Sequence, residues 1–227
     1  MNRTVVSSLV ARCLVAALGI LTIAAAEPAW AVDPLQVDDF EDGTTMGWEE
    51  GAPSPNPPVN VPDGGPGGAG DAYLENTSSG GTGAGSRMVM FNNAQWTGDY
   101  VAAGVSSLQA HLNNLGPTGL PMRVAIEGAG GGRFASIDPI VLPPGSGWQH
   151  VVFELTDAAM TSVGGAQTLA EVLANVTELR VLAANTPDWN GAALVATLGM
   201  DNLASGSSVF ADGFESGDTS AWSLTVP

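Results

Sequence analysis

Apolar and polar residues alternate with a period of two through much of the chain. Met88 and Met90 stand against Val89 and Phe91, and Leu108, Ala110, Leu112 and then Met122, Val124, Ile126 repeat the pattern. That period is the mark of a strand with one buried face. Further segments of the same kind are 72–76, 133–137, 148–155, 179–183 and 194–203. Turn residues separate them, as in Asn113-Asn114-Leu-Gly116-Pro117, Gly128 to Gly132 and Pro143-Pro144-Gly145-Ser-Gly147. Many short strands with such punctuation predict an all-β chain folded as an antiparallel β-sandwich or jelly roll. One segment breaks the period. Thr168-Leu-Ala-Glu171 is a capping box, and Leu169, Val172, Leu173 and Val176 fall at helical spacing, so one short helix is expected near 169–175, its apolar stripe packed across an open end of the sandwich.

The remainder divides the chain. Met1-Asn-Arg3, the apolar run Leu14 to Ala26, Pro28 and Ala29-Trp30-Ala31 together read as an export signal over residues 1–31. A membrane anchor would need about 20 unbroken apolar residues, and Glu27-Pro28 stops the run. The expected product is a secreted or cell-surface chain with no transmembrane helix after cleavage. The one cysteine, Cys13, leaves with the signal, which removes disulfides and thiolate chemistry. Residues 32–204 are expected to form the sandwich, with 51–70 a long Gly/Pro loop, and 205–227 a C-terminal tail. Phe40-Glu-Asp-Gly-Thr-Thr-Met-Gly-Trp48 is echoed by Phe214-Glu-Ser-Gly-Asp-Thr-Ser-Ala-Trp222, a local motif used twice and too few copies for a solenoid.

Charge narrows the function. The net charge is -17, with 23 acids against six bases, all of them arginine. Binding along a phosphate backbone needs clustered cations, so nucleic acid is not an expected partner. The absence of lysine suits a GC-rich bacterial genome. A hydrophobic content of 44% with six Trp is enough to build a core and argues against general disorder.

Two stretches carry a family resemblance. Thr168-Leu-Ala-Glu-Val-Leu-Ala-Asn-Val-Thr-Glu-Leu-Arg-Val181, followed by Leu198-Gly-Met-Asp-Asn-Leu203, resembles the closing part of laminin B (domain IV) modules and their bacterial relatives; Phe91 to Leu112 is similar to an earlier part of them. The opening Asp39-Phe-Glu-Asp-Gly43 with Trp48, paired with Asp201-Asn-Leu203, is similar to galactose-binding-like carbohydrate modules. The resemblance spans roughly residues 37–204. It implies a secreted jelly roll whose first and last strands lie together, and it leaves open adhesion, sugar binding or a structural role. It also implies one structural calcium ion held by Asp39, Glu41 and Asp201, since calcium takes hard oxygens from carboxylates and carbonyls. A solvated acidic turn is the alternative at these positions. Gly67-Gly-Ala-Gly70-Asp71 is a single copy with its Asp misplaced for a repeat-type calcium roll.

Candidate ligand contacts are aromatic, because a ring face packs on the apolar face of a pyranose. Trp148 alternates with strand positions and is expected to be buried. Trp96, Tyr100, Trp148 and Trp189 are the candidates for such a platform; Trp96 and Trp189 stand in polar loops, where folding back as lids on the core is the alternative, and with Tyr100 they form the expected ligand-binding set. His111 and His150 fall on strands and read as structural. No nucleophile elbow, zinc-protease helix or phosphate-binding loop occurs, and no residue is assigned a catalytic role. The expectation is a secreted, non-catalytic binding or surface-associated module for an extracellular glycan, matrix polymer or protein partner. Its rivals are a carbohydrate-binding module in the strict sense and a glycoside or ester hydrolase on the same scaffold. The latter needs a cleft with two carboxylates roughly 5 to 9.5 Å apart. Oligomeric state is left open.

Overall fold

The computed structural model describes residues 32–207. The proposed export signal and the second copy of the Phe-to-Trp motif lie outside the described residues. Twelve strands and one helix follow in the order β1 (Val37–Asp38), β2 (Val59–Val61), β3 (Tyr73–Ser79), β4 (Val89–Asn92), β5 (Val105–Asn114), β6 (Leu120–Gly128), β7 (Arg133–Ser136), β8 (Ile140–Leu142), β9 (Trp148–Glu154), β10 (Met160–Gly164), α1 (Leu169–Leu173), β11 (Val176–Ala183) and β12 (Val195–Ser207). They form two antiparallel sheets. The first runs β2-β3-β12-β5-β9 with β1 also on β12; the second runs β10-β7-β6-β11-β4 with β8 also on β6. The all-β sandwich expected from the period-two pattern is therefore the fold.

Each sheet is organised on one long strand flanked on one side by two short ones in succession. β12 pairs with β3 through Met200↔Leu74 and then with β1 through Leu203↔Asp38. A bulge between Asp201 and Ala204 on the β5 side, with Asn202 at φ 49°, marks the handover. The first and last strands thus lie together. Inward residues of the first sheet, among them Leu74, Leu108, Leu112, Phe153, Leu198 and Met200, meet Met90, Met122, Val124, Ile126, Leu179 and Val181 of the second in one buried core.

The helix is shorter than its expected span, ending at Leu173, and its N-terminus is as the sequence specifies. Thr168 Oγ1 accepts from Glu171 N at 3.3 Å, and the Thr168 amide donates to Glu171 Oε2 at 2.7 Å. The Thr168 amide and the Thr168 hydroxyl, which also donates to Glu171 Oε2 at 2.8 Å, pull the Glu171 carboxyl below its ordinary range. Leu169, Val172 and Leu173 are buried against the end of the sandwich. A Cβ at Gly128 would stand 3.0 Å from Val172 Cα, so the close approach of helix to β6 requires glycine there.

Two expected boundaries are corrected. The sandwich does not stop at 204: Ser205, Gly206 and Ser207 pair with Leu108, Ser107 and Val105, and the Ser205 amide donates to the Gln36 carbonyl at 3.0 Å. The 51–70 loop is interrupted by β2, where Val59 to Val61 pair with Glu75 to Tyr73.

The Phe40-to-Trp48 segment is an exposed turn whose two aromatic ends are buried. Phe40 is fully buried at φ 56°, and Trp48 and Trp96 are 2% and 0% exposed. Asp38 Oδ2 accepts from both indoles at 2.7 Å, and Gln95 Nε2 donates to the same carboxylate at 3.2 Å. Burial raises the Asp38 pKa, and the hydrogen bonds from Trp96, Trp48 and Gln95 oppose that rise. Replacing Asp38 by Ala would strand two buried indole donors, each costing about 1–3 kcal/mol. Asp38→Ala is expected to lower unfolding free energy by about 2–5 kcal/mol in a urea titration. A loss under 1 kcal/mol would show that the carboxylate does not organise this end of the fold.

Candidate functional site

The outer faces of the two sheets differ in kind. On the second sheet the face carries Val89, Phe91, Ala125, Ala135, Arg133, Arg180 and Leu182, and the 184–192 loop lies over it. Trp189 packs with Ala125, Ala135, Leu182 and Ala184 and is 6% exposed. The Arg180 guanidinium stands 4.0 Å from its ring centroid and that of Arg133 4.7 Å. Arg180 Nη1 also donates to the Trp189 carbonyl at 2.9 Å. Arg123 donates through Nε to Ala184 O and through Nη2 to Asn185 O, and Arg87 donates to Gly191 O. All four arginines among the described residues therefore hold one loop on one sheet. Two of them also pair with carboxylates, Arg133 with Glu127 and Arg180 with Glu178.

The first sheet presents a different outer face. Register places Val61, Tyr73, Asp201, His111 and His150 in one row across the strands, and Val59, Glu75, Gly199, Asn113 and Trp148 in the next. Trp148 lies across the sheet because Gly199, on the central strand, has no side chain. A Cβ there would meet Trp148 Cη2 at 2.9 Å and Tyr73 Cδ2 at 3.4 Å. Tyr73 meets the indole edge-on, with centroids 5.2 Å apart and planes at 77°. The indole Nε1 donates to Gly64 O at 3.0 Å, which ties the ring to the 62–71 loop. That loop is braced by its own acids: Gly70 N donates to Asp63 and Gly67 N to Asp71. Trp148 is the one described tryptophan that keeps accessible surface.

Polar groups surround this aromatic pair. Glu75, Thr77, Thr197, Asn113, Gln109 and His111 are partly exposed and His150 is exposed. The two imidazoles meet at 5.3 Å between centroids, and His150 Nε2 lies 3.3 Å from Gln109 Oε1. His111 Nδ1 is buried and without a hydrogen-bond partner. Burial first, and then His150, lower the His111 pKa, with Asp71 opposing. Asp201, fully covered, has its carboxyl pushed up to about 7 by burial, with Asp71, Glu41 and Asp39 adding to the rise and the Asn202 amide opposing it.

The expected site residues are distributed differently from their sequence reading. Trp96 and Tyr100 are each 0% exposed, so the expected exposure of Trp96 is corrected, as is that of Trp189. The polar residues beside Trp96 are its hydrogen-bond shell, with Asp38 on the indole nitrogen and the Tyr100 hydroxyl donating to the Trp96 carbonyl at 2.9 Å. Trp148, expected to be buried, is on the open face instead. His111 and His150 share that face. Asp39, Glu41 and Asp201 gather near one another, yet their oxygens are engaged locally: Asp39 accepts from Glu41 N, Glu41 from Ala72 N, and Asp201 from both nitrogens of Asn202. Among the described residues no three Asp, Glu, His or Cys side chains converge as a metal cage.

Neither a family model nor a curated protein matches the chain in sequence. Among solved structures, an exo-beta-agarase aligns over 75% of this chain at 13% identity, with a TM-score of 0.54. The match covers 24% of that enzyme, so the chain spans about a quarter of its length. A family 11 carbohydrate-binding module from Clostridium thermocellum, solved with a beta-1,3-1,4-mixed-linked tetrasaccharide, aligns over 78% of this chain and 98% of its own at 13% identity, with a TM-score of 0.48. At these identities the likeness is one of fold. Neither structure bears a laminin B name: the chain is a jelly-roll β-sandwich, a fold found also within an agarase.

Proposed function

We propose that the chain is a non-catalytic glycan-binding module of an exported protein, and that it binds through the outer face of its first sheet. The observation that carries this reading is the Trp148–Tyr73 pair laid over Gly199 and surrounded by amide, hydroxyl and imidazole groups. A partly exposed indole supplies a flat apolar surface, and the surrounding side chains supply the directional hydrogen bonds that sugar hydroxyls need. Ligand contact passes from Trp96 and Tyr100, whose rings have no free face, to Trp148. The agarase whose fold is shared acts on a polysaccharide, which is in keeping with this reading. Among the described residues no helix is long and apolar enough to cross a membrane.

Affinity electrophoresis against a panel of soluble polysaccharides tests the proposal. Trp148→Ala is expected to weaken binding at least tenfold, about 1.4 kcal/mol. Gly199→Val, which lifts the indole from its seat, is expected to act in the same direction. Trp189→Ala should lower the thermal midpoint and leave binding intact. Retardation that is unchanged in Trp148→Ala would remove the open face from the site.

The acidic row has its own test. An Asp with an unfolded pKa of about 3.9 and a folded value near 7 binds a proton in the folded state that the unfolded chain does not hold. Its contribution is present below about pH 4 and is lost as pH rises through 7. Stability of Asp201→Asn should therefore fall less between pH 5 and pH 8 than that of the parent, read from denaturation midpoints. Glu50, also pushed up to about 7 by burial, adds a parallel slope that Glu50→Gln isolates. A midpoint raised by millimolar calcium at pH 8, and insensitive to calcium in Asp201→Asn, would give the cluster to calcium in place of a proton.

A further inference from the structure

Resting on the glycan-binding reading, we infer that the open face accepts uncharged polysaccharide and rejects carboxylated or sulfated polymers. Two observations carry the inference. The first is where the cations are. Every arginine among the described residues is engaged with the 184–192 loop on the second sheet, and lysine is absent from the whole chain. Recognition of a uronate or sulfate ester uses guanidinium or ammonium groups, and the first sheet offers none.

The second is what the open face carries instead. Glu75 stands beside Gly199 at the edge of the aromatic pair, the loop Asp71 lies near His111 and the covered Asp201, and Glu154 follows His150 and Val152 on β9. The Tyr73 hydroxyl, 3.5 Å from Glu75 Oε2, stays protonated: burial and the Glu75 charge both raise its pKa. At neutral pH the cationic groups that could offset these acids are the two imidazoles. His111 is held toward its neutral form by burial and by His150. A neutral glycan meets this surface as hydrogen-bond acceptors for its hydroxyls, since carboxylates and amide oxygens accept from hydroxyl donors. A polymer with a charge on every second or third sugar meets like charge at each step, without a counter-cation to offset it.

The test uses polymer pairs that share a backbone and differ in charge. Affinity electrophoresis of the chain at pH 8 would compare hydroxyethylcellulose with carboxymethylcellulose, and agarose with a sulfated galactan. The inference expects at least tenfold weaker binding to the charged member of any pair whose neutral member binds. The gap should narrow from 50 mM to 1 M salt as screening shortens the reach of the repulsion to about 3 Å. Val152→Lys, at an exposed position on the same face, should improve binding to the charged member and change the neutral one little. If that variant does not fold, Glu75→Gln is expected to move the ratio in the same direction. Equal binding of charged and neutral members overturns the inference and leaves glycan binding standing. Retention of neither member of any pair overturns the glycan-binding reading itself.

Discussion

One buried carboxylate fixes the end of the sandwich from which the rest is built. Asp38 has no cation near it and is satisfied by three N–H donors, from Trp48, Trp96 and Gln95, that come from two separate loops. A lone buried charge is costly, and its hydrogen bonds are what make it tolerable. What it returns is geometry. β1 has only two residues and could not hold a place on β12 through its ladder alone, but Asp38 is one of those two, and its side chain is bound into the core. With Asp38 turned inward, Asp39 and Glu41 emerge toward the outer side of β12, where Asp201 stands. The position of the acidic row on the open face is thus a consequence of the anchor beneath it.

Charge allocation separates the two sheets. A chain with so few cations has used all those in its described part to close one surface. Arg123 is buried, donating to carbonyls of Ser136 and Ile137 as well as to the loop, and burial lowers its pKa while Asp138 opposes that. Backbone carbonyls take the place of a carboxylate partner around Arg123, while Arg133 and Arg180 combine a carboxylate, Glu127 and Glu178, with the face of Trp189. The loop so held turns Trp189 from a surface residue into a lid over alanines. The first sheet, without cations, keeps a polar and aromatic surface with an acidic surround. Two six-stranded sheets therefore end with outer faces of opposite character.

The strands with long alternation were legible because burial on one face leaves a period-two record. β1, β2, β8 and β10 were not: the first three have only two or three positions in which to show a period, β2 is concealed within Pro and Gly, and β10, Met160-Thr-Ser-Val-Gly164, has no apolar alternation. The helix start was legible because a capping box is local chemistry. The site was not, for two physical reasons. In β9 the residues Trp148, His150 and Val152 alternate with Gln149, Val151 and Phe153, and both sets contain large apolar groups, so the pattern could not say which one faces the core. In the loop around Trp96 the polar neighbours suggested solvent, whereas Asp38 and Gln95 are polar because a buried indole needs an acceptor and that acceptor needs donors.

Ring accessibility settles which aromatic can do what a ligand site asks. Trp48 and Trp96 are enclosed by the core and spend their nitrogens on Asp38. Trp189 is enclosed between alanines and guanidiniums. Trp148 differs because the central strand beneath it carries glycine and because its nitrogen is bound to a backbone carbonyl at the rim, so the indole is fixed without being covered. A fixed ring loses little entropy when a ligand stacks on it, and less ordering cost leaves more of the contact energy as affinity. The same logic explains the bracing of the 62–71 loop by Asp63 and Asp71. A glycine-rich segment would otherwise sample many conformations, and its own carboxylates restrict it to the one in which the Gly64 carbonyl meets the indole. Pre-organisation of the aromatic face is in this way written into a loop that, read along the sequence, looks like a spacer.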